Sequence, residues 1–154
     1  APVIKAIVKA GIPVCAHIGL TPQSAAMMGG FKVQGKSLQA AQELLDSARA
    51  VEEAGAFMVV LEGIPKMLAD VITQKINIPT MGIGAGAGCD MQVLVAQDML
   101  GMNEWVPKFA KKFADLHTII IDAYNEYVKE SNARTFPDHD TQYNAVIEGI
   151  ENLK

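Results

Sequence analysis

Three places in the chain set a reactive or ligand-accepting group at the end of an apolar run. His17 closes the run Ile12-Pro13-Val14-Cys15-Ala16-His17-Ile18. Glu62 follows Ala56-Phe57-Met58-Val59-Val60-Leu61. Ile78-Pro79-Thr80-Met81-Gly82-Ile83 runs into a glycine string that ends at Gly88. A titratable group directly after a buried strand stands at the rim of a low-dielectric site. Burial there raises a carboxylate's pKa and lowers a histidine's. That tuning suits a general acid or base working near neutral pH. A strand-end histidine often serves only as a structural hydrogen-bonding group. A glutamate behind Val-Val-Leu is harder to explain structurally, because glutamate is rarely buried without a partner. The glycine string matches a dinucleotide fingerprint only with Ala87 in the last position, and no clear helix opens there. Close backbone approach to a ligand, or a tight turn, is the better reading of those glycines.

The elements that hold these groups follow from periodicity. Residues 3–10 are apolar at helical spacing, and Gly11 is a plausible stop. Residues 12–18 read as a buried strand, and 19–35, rich in Gly, Thr, Pro, Gln and Ser, as a long loop. Loops of that length are often lids or binding loops; an ordinary surface insertion is the alternative. Met27 and Met28 lie in it, and the scattered methionines read as core filler. Ser37 caps a helix to about Glu53, with Leu38, Ala41, Leu45, Ala48 and Val51 on one face. Strands are expected over 56–61 and 78–83, with a helix over 66–75 between them. Gln92-Val93-Leu94-Val95 reads as a weaker fourth strand. A long amphipathic helix is expected over Pro107 to Lys129, with Phe109, Phe113, Leu116, Ile120, Tyr124 and Tyr127 on its apolar side. A polar tail around Pro137, Asp138 and Asp140 precedes a short helix over 144–153. The junctions Val8-Lys9-Ala10-Gly11-Ile12-Pro13 and Glu52-Glu53-Ala54-Gly55-Ala56-Phe57 share one wording. Apolar strands alternating with helices indicate a parallel sheet buried on both faces. Right-handed crossovers then give a barrel or a doubly wound sheet, and a barrel is favoured.

Composition narrows the function class. Of 154 residues, 50% are hydrophobic and 19% charged, with a net charge of -4, which excludes a disordered chain. No apolar run reaches the ~18 residues of a membrane helix. The lysines are scattered apart from Lys108, Lys111 and Lys112, so nucleic acid is not expected as a partner. Cys15 and Cys89 are too few for a disulfide framework and are expected as buried free thiols. No signal-peptide pattern opens the chain, so a cytoplasmic, reducing compartment is expected. The text begins at Ala1 without an initiator Met, as though inside a helix.

Several long motifs carry a resemblance. His17-Ile18-Gly19-Leu20-Thr21-Pro22-Gln23-Ser24, then Gly30-Phe31-Lys32-Val33-Gln34-Gly35-Lys36, resemble ketopantoate hydroxymethyltransferase. So do Val60-Leu61-Glu62-Gly63-Ile64-Pro65 and Ile78-Pro79-Thr80-Met81-Gly82-Ile83-Gly84-Ala85-Gly86. Gln92 to Val95, Asp98-Met99-Leu100-Gly101 and Phe136-Pro137 continue the match, in order, over nearly the whole chain. The resemblance implies transfer of a hydroxymethyl group from 5,10-methylenetetrahydrofolate to 3-methyl-2-oxobutanoate, giving 2-dehydropantoate for pantothenate biosynthesis. It implies a (β/α)8 TIM barrel, of which residues 1–154 hold about the last four βα units and a C-terminal helix. It implies a homo-oligomer, usually a decamer, with the tail 130–154 available for its contacts.

In the same resemblance Glu62 is the catalytic base and His17 hydrogen-bonds the keto acid. Gly84 and Gly86 belong to a glycine loop that would shape the rim. Magnesium would hold the keto acid, but its acidic ligands, and a substrate-binding serine and lysine, belong to the first four strands. No metal ligand is therefore expected in this chain, and a complementary N-terminal half is expected as its partner. Ala16, Gly63, Met91 and Gln97 depart from the family's usual residues. A non-catalytic half-barrel stays open as an alternative, and its two free edges are expected to make the isolated chain oligomeric or poorly soluble. A 2-oxo-acid lyase of the phosphoenolpyruvate mutase type is disfavoured by the specificity of the two motifs around His17 and Lys36.

Overall fold

The computed structural model describes residues 1–27 and 29–153; Met28 and Lys154 lie outside the described residues. The chain divides into two compact units. The first comprises 1–96 with 107–111, and the second 97–106 with 112 onward.

The first unit is built on a parallel sheet. Its elements are α1 (Pro2–Lys9), β1 (Cys15–Gly19), α2 (Leu38–Glu53), β2 (Met58–Glu62), α3 (Lys66–Lys75), β3 (Thr80–Ile83) and β4 (Met91–Gln92). The strands lie in the order β1-β2-β3-β4, every pair parallel. Ser37 caps α2 by accepting from the Ala40 amide at 3.2 Å, as its residue type and place predict. The α/β class with a parallel sheet is therefore as expected.

The two faces of this sheet are not alike. Ala16, Ile18, Val59, Leu61 and Thr80 point to one face and are buried. Ala48 and Val51 of α2 and Leu68, Ala69 and Ile72 of α3 pack against them. The other face carries Cys15, His17, Met58, Val60, Glu62 and Met81, which are half-exposed, or exposed in the case of Cys15. The reading of strands buried on both faces is corrected here. Apolar residues do stand on both faces, but α2 and α3 cover only one. Cys15 is consequently exposed rather than buried, whereas Cys89 is buried as expected.

The fourth strand is shorter than its sequence suggests. Val93 donates one more bond to the Gly82 carbonyl at 3.0 Å. The pairing then stops, because β3 ends at Ile83 and offers no further partner. The return loop is anchored at its far end. Asp90 Oδ2 accepts from the Thr80 amide at 2.8 Å and from Thr80 Oγ1 at 3.0 Å. Thr80 Oγ1 also lies 2.9 Å from Thr73 Oγ1. Those bonds hold the Asp90 carboxyl below the usual aspartate range, the backbone amide first among them.

The second unit holds α5 (Leu116–Ala133) and the tail, and α4 (Ala96–Met99) leads into it. The long helix, which the apolar spacing predicts from about Pro107, starts at Leu116. Asp115 caps it, accepting from the Thr118 amide at 3.5 Å and from Thr118 Oγ1 at 2.7 Å. The Phe113 amide is spent on the Met99 carbonyl (2.7 Å) and the Leu116 amide on that of Leu100 (3.1 Å), neither of which is a helical pairing. The helix between 144 and 153 reduces to a 3-10 turn, Ile150–Asn152. Gly149, at φ +77°, takes the left-handed conformation that ends helical propagation. No helix among the described residues is long and apolar enough to cross a membrane.

The Asp90 staple gives a direct test. Asp90→Ala leaves the buried Thr80 amide without its acceptor and should lower stability by about 1–3 kcal/mol in chemical denaturation. Because the Asp90 pKa is depressed, that contribution is full above pH 3.8 and disappears as pH falls below it.

Candidate active site

The site follows from register. In the parallel ladder His17 pairs with Val60 and Gly19 pairs with Glu62. Val60 and Glu62 are two residues apart, so they share a face, and His17 shares it with them. Glu62 is therefore the diagonal neighbour of His17, within reach of a long side chain. His17 Nε2 lies 3.1 Å from Glu62 Oε2. On β3, Ile83 pairs with Glu62 and Met81 with Val60.

The pair is partly withdrawn from solvent. The Glu62 side chain is 12% exposed and that of His17 31%. Nε2 itself is shut off from solvent. Its approach to Oε2 meets ion-pair distance but lacks hydrogen-bond directionality, so Nε2 remains a buried polar atom without a directed partner. A buried polar atom in that state lacks the partner that such atoms ordinarily have. Burial pushes the Glu62 carboxyl above its ordinary value of 4.5, against the nearby His17 imidazole, which pulls it down. Desolvation is the larger effect, and a carboxylate raised in this way is a stronger base than a solvated one.

Backbone bonds fix the end of β2. The Leu20 amide donates to the Glu62 carbonyl at 2.8 Å, and the Gln34 amide to that of Gly63 at 2.9 Å. Both ends of the long loop after β1 are thus strapped to the glutamate's strand. The Gly63 amide donates to the Ile83 carbonyl at 2.9 Å, tying β2 to β3 just beyond the site. Gly19 has φ +89°, and a Cβ there would strike the Glu62 carbonyl oxygen and Ile64 Cγ2. Only glycine allows the two strand ends to come this close.

Gly84 and Gly86 follow at once. Gly84 lies one residue beyond the partner of Glu62 and packs on Phe109. Gly86 has φ +82° and packs on the stem of Lys66, where a Cβ would come within 2.6 Å of Cγ. Its carbonyl accepts from Gln92 Nε2 at 3.0 Å. The structure therefore brings His17 and Glu62 together, with Gly84 directly after the β3 residue that pairs with Glu62. Sequence reading missed the Asp90 and Gln92 anchors of this loop, for which an acid two residues after the glycine string is the available signal. It also missed the side-by-side placement of Val60 and Met81, which only the register reveals.

Among the described residues no three His, Cys, Asp or Glu side chains gather to hold a metal ion. His17 and Glu62 alone supply too few donors for the octahedral oxygen shell that magnesium demands. These residues do not fit a magnesium site by themselves.

Comparison with known proteins adds the following. A family model described as ketopantoate hydroxymethyltransferase matches residues 1–139. Proteins named 3-methyl-2-oxobutanoate hydroxymethyltransferase are similar to the chain. That of Clostridium novyi is 59% identical over 135 residues, covering 87% of this chain and 49% of its own length. That of Enterococcus faecalis is 54% identical over 151 residues, 97% of this chain and 55% of its own. That of Carboxydothermus hydrogenoformans is 49% identical over 154 residues, 99% of this chain and 56% of its own. The chain spans about half the length of these relatives.

The electrostatics predict a titration. Carboxyl carbon NMR of Glu62 should give a midpoint above 4.5, and His17→Gln should raise it further by removing the imidazole that opposes desolvation. Because the folded state binds this proton more tightly than the unfolded one, Glu62 removes stability as pH rises from 4.5 through the folded midpoint. A midpoint at or below 4.5, or a fall in the His17 variant, would contradict the desolvated placement of the carboxyl.

Proposed function

The chain belongs to the ketopantoate hydroxymethyltransferase family, and from that premise we propose that it supplies the catalytic base for hydroxymethyl transfer to 3-methyl-2-oxobutanoate. The observation that carries this reading is the desolvated Glu62 carboxylate 3.1 Å from His17 at the ends of adjacent parallel strands. In this reading the Glu62 carboxylate takes the proton from C3 of the keto acid, and the electron pair moves into the enolate. The enolate carbon then forms its new bond to the one-carbon unit of 5,10-methylenetetrahydrofolate as both C–N bonds of that unit to the folate break. Water supplies the hydroxyl and one proton, the proton from C3 goes to the second folate nitrogen, and 2-dehydropantoate and tetrahydrofolate leave. His17 Nε2, buried and without a directed bond, donates to an oxygen of the keto acid and holds it against the base. Gly84 and Gly86 form part of the rim.

The fold in this proposal is a (β/α)8 barrel. Residues 1–154 supply its last four strands, and the half-exposed sheet face becomes the barrel's interior. A complementary N-terminal half supplies the acids that hold magnesium and the remaining substrate groups. The assembled protein works as a homo-oligomer in the cytoplasm, with the tail 130–154 in its contacts. The half-exposed face also supports a second reading, a half-barrel without activity until its complement arrives.

The test uses the chain assembled with its complementary half. Glu62→Gln should slow solvent-deuterium exchange at C3 of 3-methyl-2-oxobutanoate by about 10²–10⁴-fold, the usual contribution of a positioned base. Exchange at the unsubstituted rate would overturn the assignment.

A further inference from the structure

The half-exposed sheet face carries more than the acid–base pair. Val60 stands one pleat below Glu62 on β2, between His17 of β1 and Met81 of β3, with which it is in register. Two residues along a strand is about 6.6 Å, so Val60 forms the floor directly beneath the base. Ile83, 7% exposed, pairs with Glu62 and walls the same level. The helix-covered face needs Val59 and Leu61 for the packing of α2 and α3. Val60 and Met81 are absent from that buried cluster and remain half-exposed. Their apolar character at this position therefore has a cause other than the helices.

The chemistry of the reacting carbon supplies one. A base that removes a proton from C3 of a branched 2-oxo acid must reach it at about 3 Å, which brings the two methyl groups on C3 against the wall around that base. Those methyls need an apolar surface of fixed shape. Valine provides it, because its branched side chain has few rotamers. Resting on the reading of Glu62 as the base, we propose that Val60, flanked by Met81 and Ile83, is the cradle for the C3 alkyl group. It thereby sets which 2-oxo acids are accepted.

The experiment measures C3 solvent-deuterium exchange for 2-oxobutanoate, 3-methyl-2-oxobutanoate and 3-methyl-2-oxopentanoate. The chain assembled with its complementary half is used, as the parent and as Glu62→Gln, Val60→Ala and Val60→Ile. A single methylene in a pocket is discriminated by about tenfold or more, so Val60→Ala should raise the kcat/KM ratio of the six-carbon acid over the five-carbon acid by about tenfold. Val60→Ile should lower the five-carbon acid relative to 2-oxobutanoate by about as much, and it leaves no void if the truncation fails to fold. Parallel loss for all three acids, with ratios held within about twofold, would mean that Val60 only packs, and the cradle would fall. If the parent protein exchanges none of them, or Glu62→Gln exchanges them normally, the assignment of the base fails and takes this inference with it. Normal exchange in the parent and its loss in Glu62→Gln, with unmoved ratios, removes the cradle alone.

Discussion

The register between β1 and β2 is the constraint on which the rest depends. It is not set by the site. Val59 and Leu61 are fully buried against α2 and α3, and burying side chains of that size contributes about 1.5–3 kcal/mol each. Strand side chains alternate strictly, so seating Val59 and Leu61 under the helices sends Val60 and Glu62 to the opposite face. The same holds on β1, where burial of Ala16 and Ile18 turns His17 the other way. Slipping β2 by one residue would turn Glu62 under the helices, slipping β1 would turn His17 there, and either would break the pair. The helix packing thus places the 3.1 Å contact on the face the helices leave alone.

Around that pair the backbone is fixed by short bonds rather than by side chains. The Glu62 and Gly63 carbonyls are both taken by the loop after β1, and the Gly63 amide by β3. Asp90 clamps the base of the glycine loop to Thr80, and Gln92 holds the Gly86 carbonyl within it. A carboxylate held this firmly would lose little freedom on meeting a ligand, which is the physical content of preorganisation. The buried Nε2 of His17 is the one polar side-chain atom among the described buried groups left without a directed bond. An unfilled bonding position beside a desolvated carboxylate is what a keto-acid oxygen would complete.

Much of this was legible in the residues. Ser37 with an apolar 3.6-residue repeat after it specifies α2, and glutamate after Val-Val-Leu marks a strand-end group with no cheap structural role. The motif around His17 pointed to the same rim. The failures have physical reasons. Val93-Leu94-Val95 has strand composition, but pairing depends on a partner, and β3 has already ended. Phe109 and Phe113 fit a helical stripe, yet Phe109 packs on Gly84 and the helix waits for the cap at Asp115. The apolar residues of both sheet faces look alike in sequence. Only packing shows that Val59 and Leu61 meet helices, while Val60 and Met81 are left for another surface or for a ligand.

The central claim is that the face left by the helices is where the keto acid meets its base. A crystal structure of the chain assembled with its complementary half, with 3-methyl-2-oxobutanoate bound, tests it most directly. The account predicts C3 within about 3–3.5 Å of a Glu62 carboxylate oxygen, with a keto-acid oxygen on His17 Nε2. A keto acid bound on the helix side of the sheet, or with C3 turned away from Glu62, would contradict it.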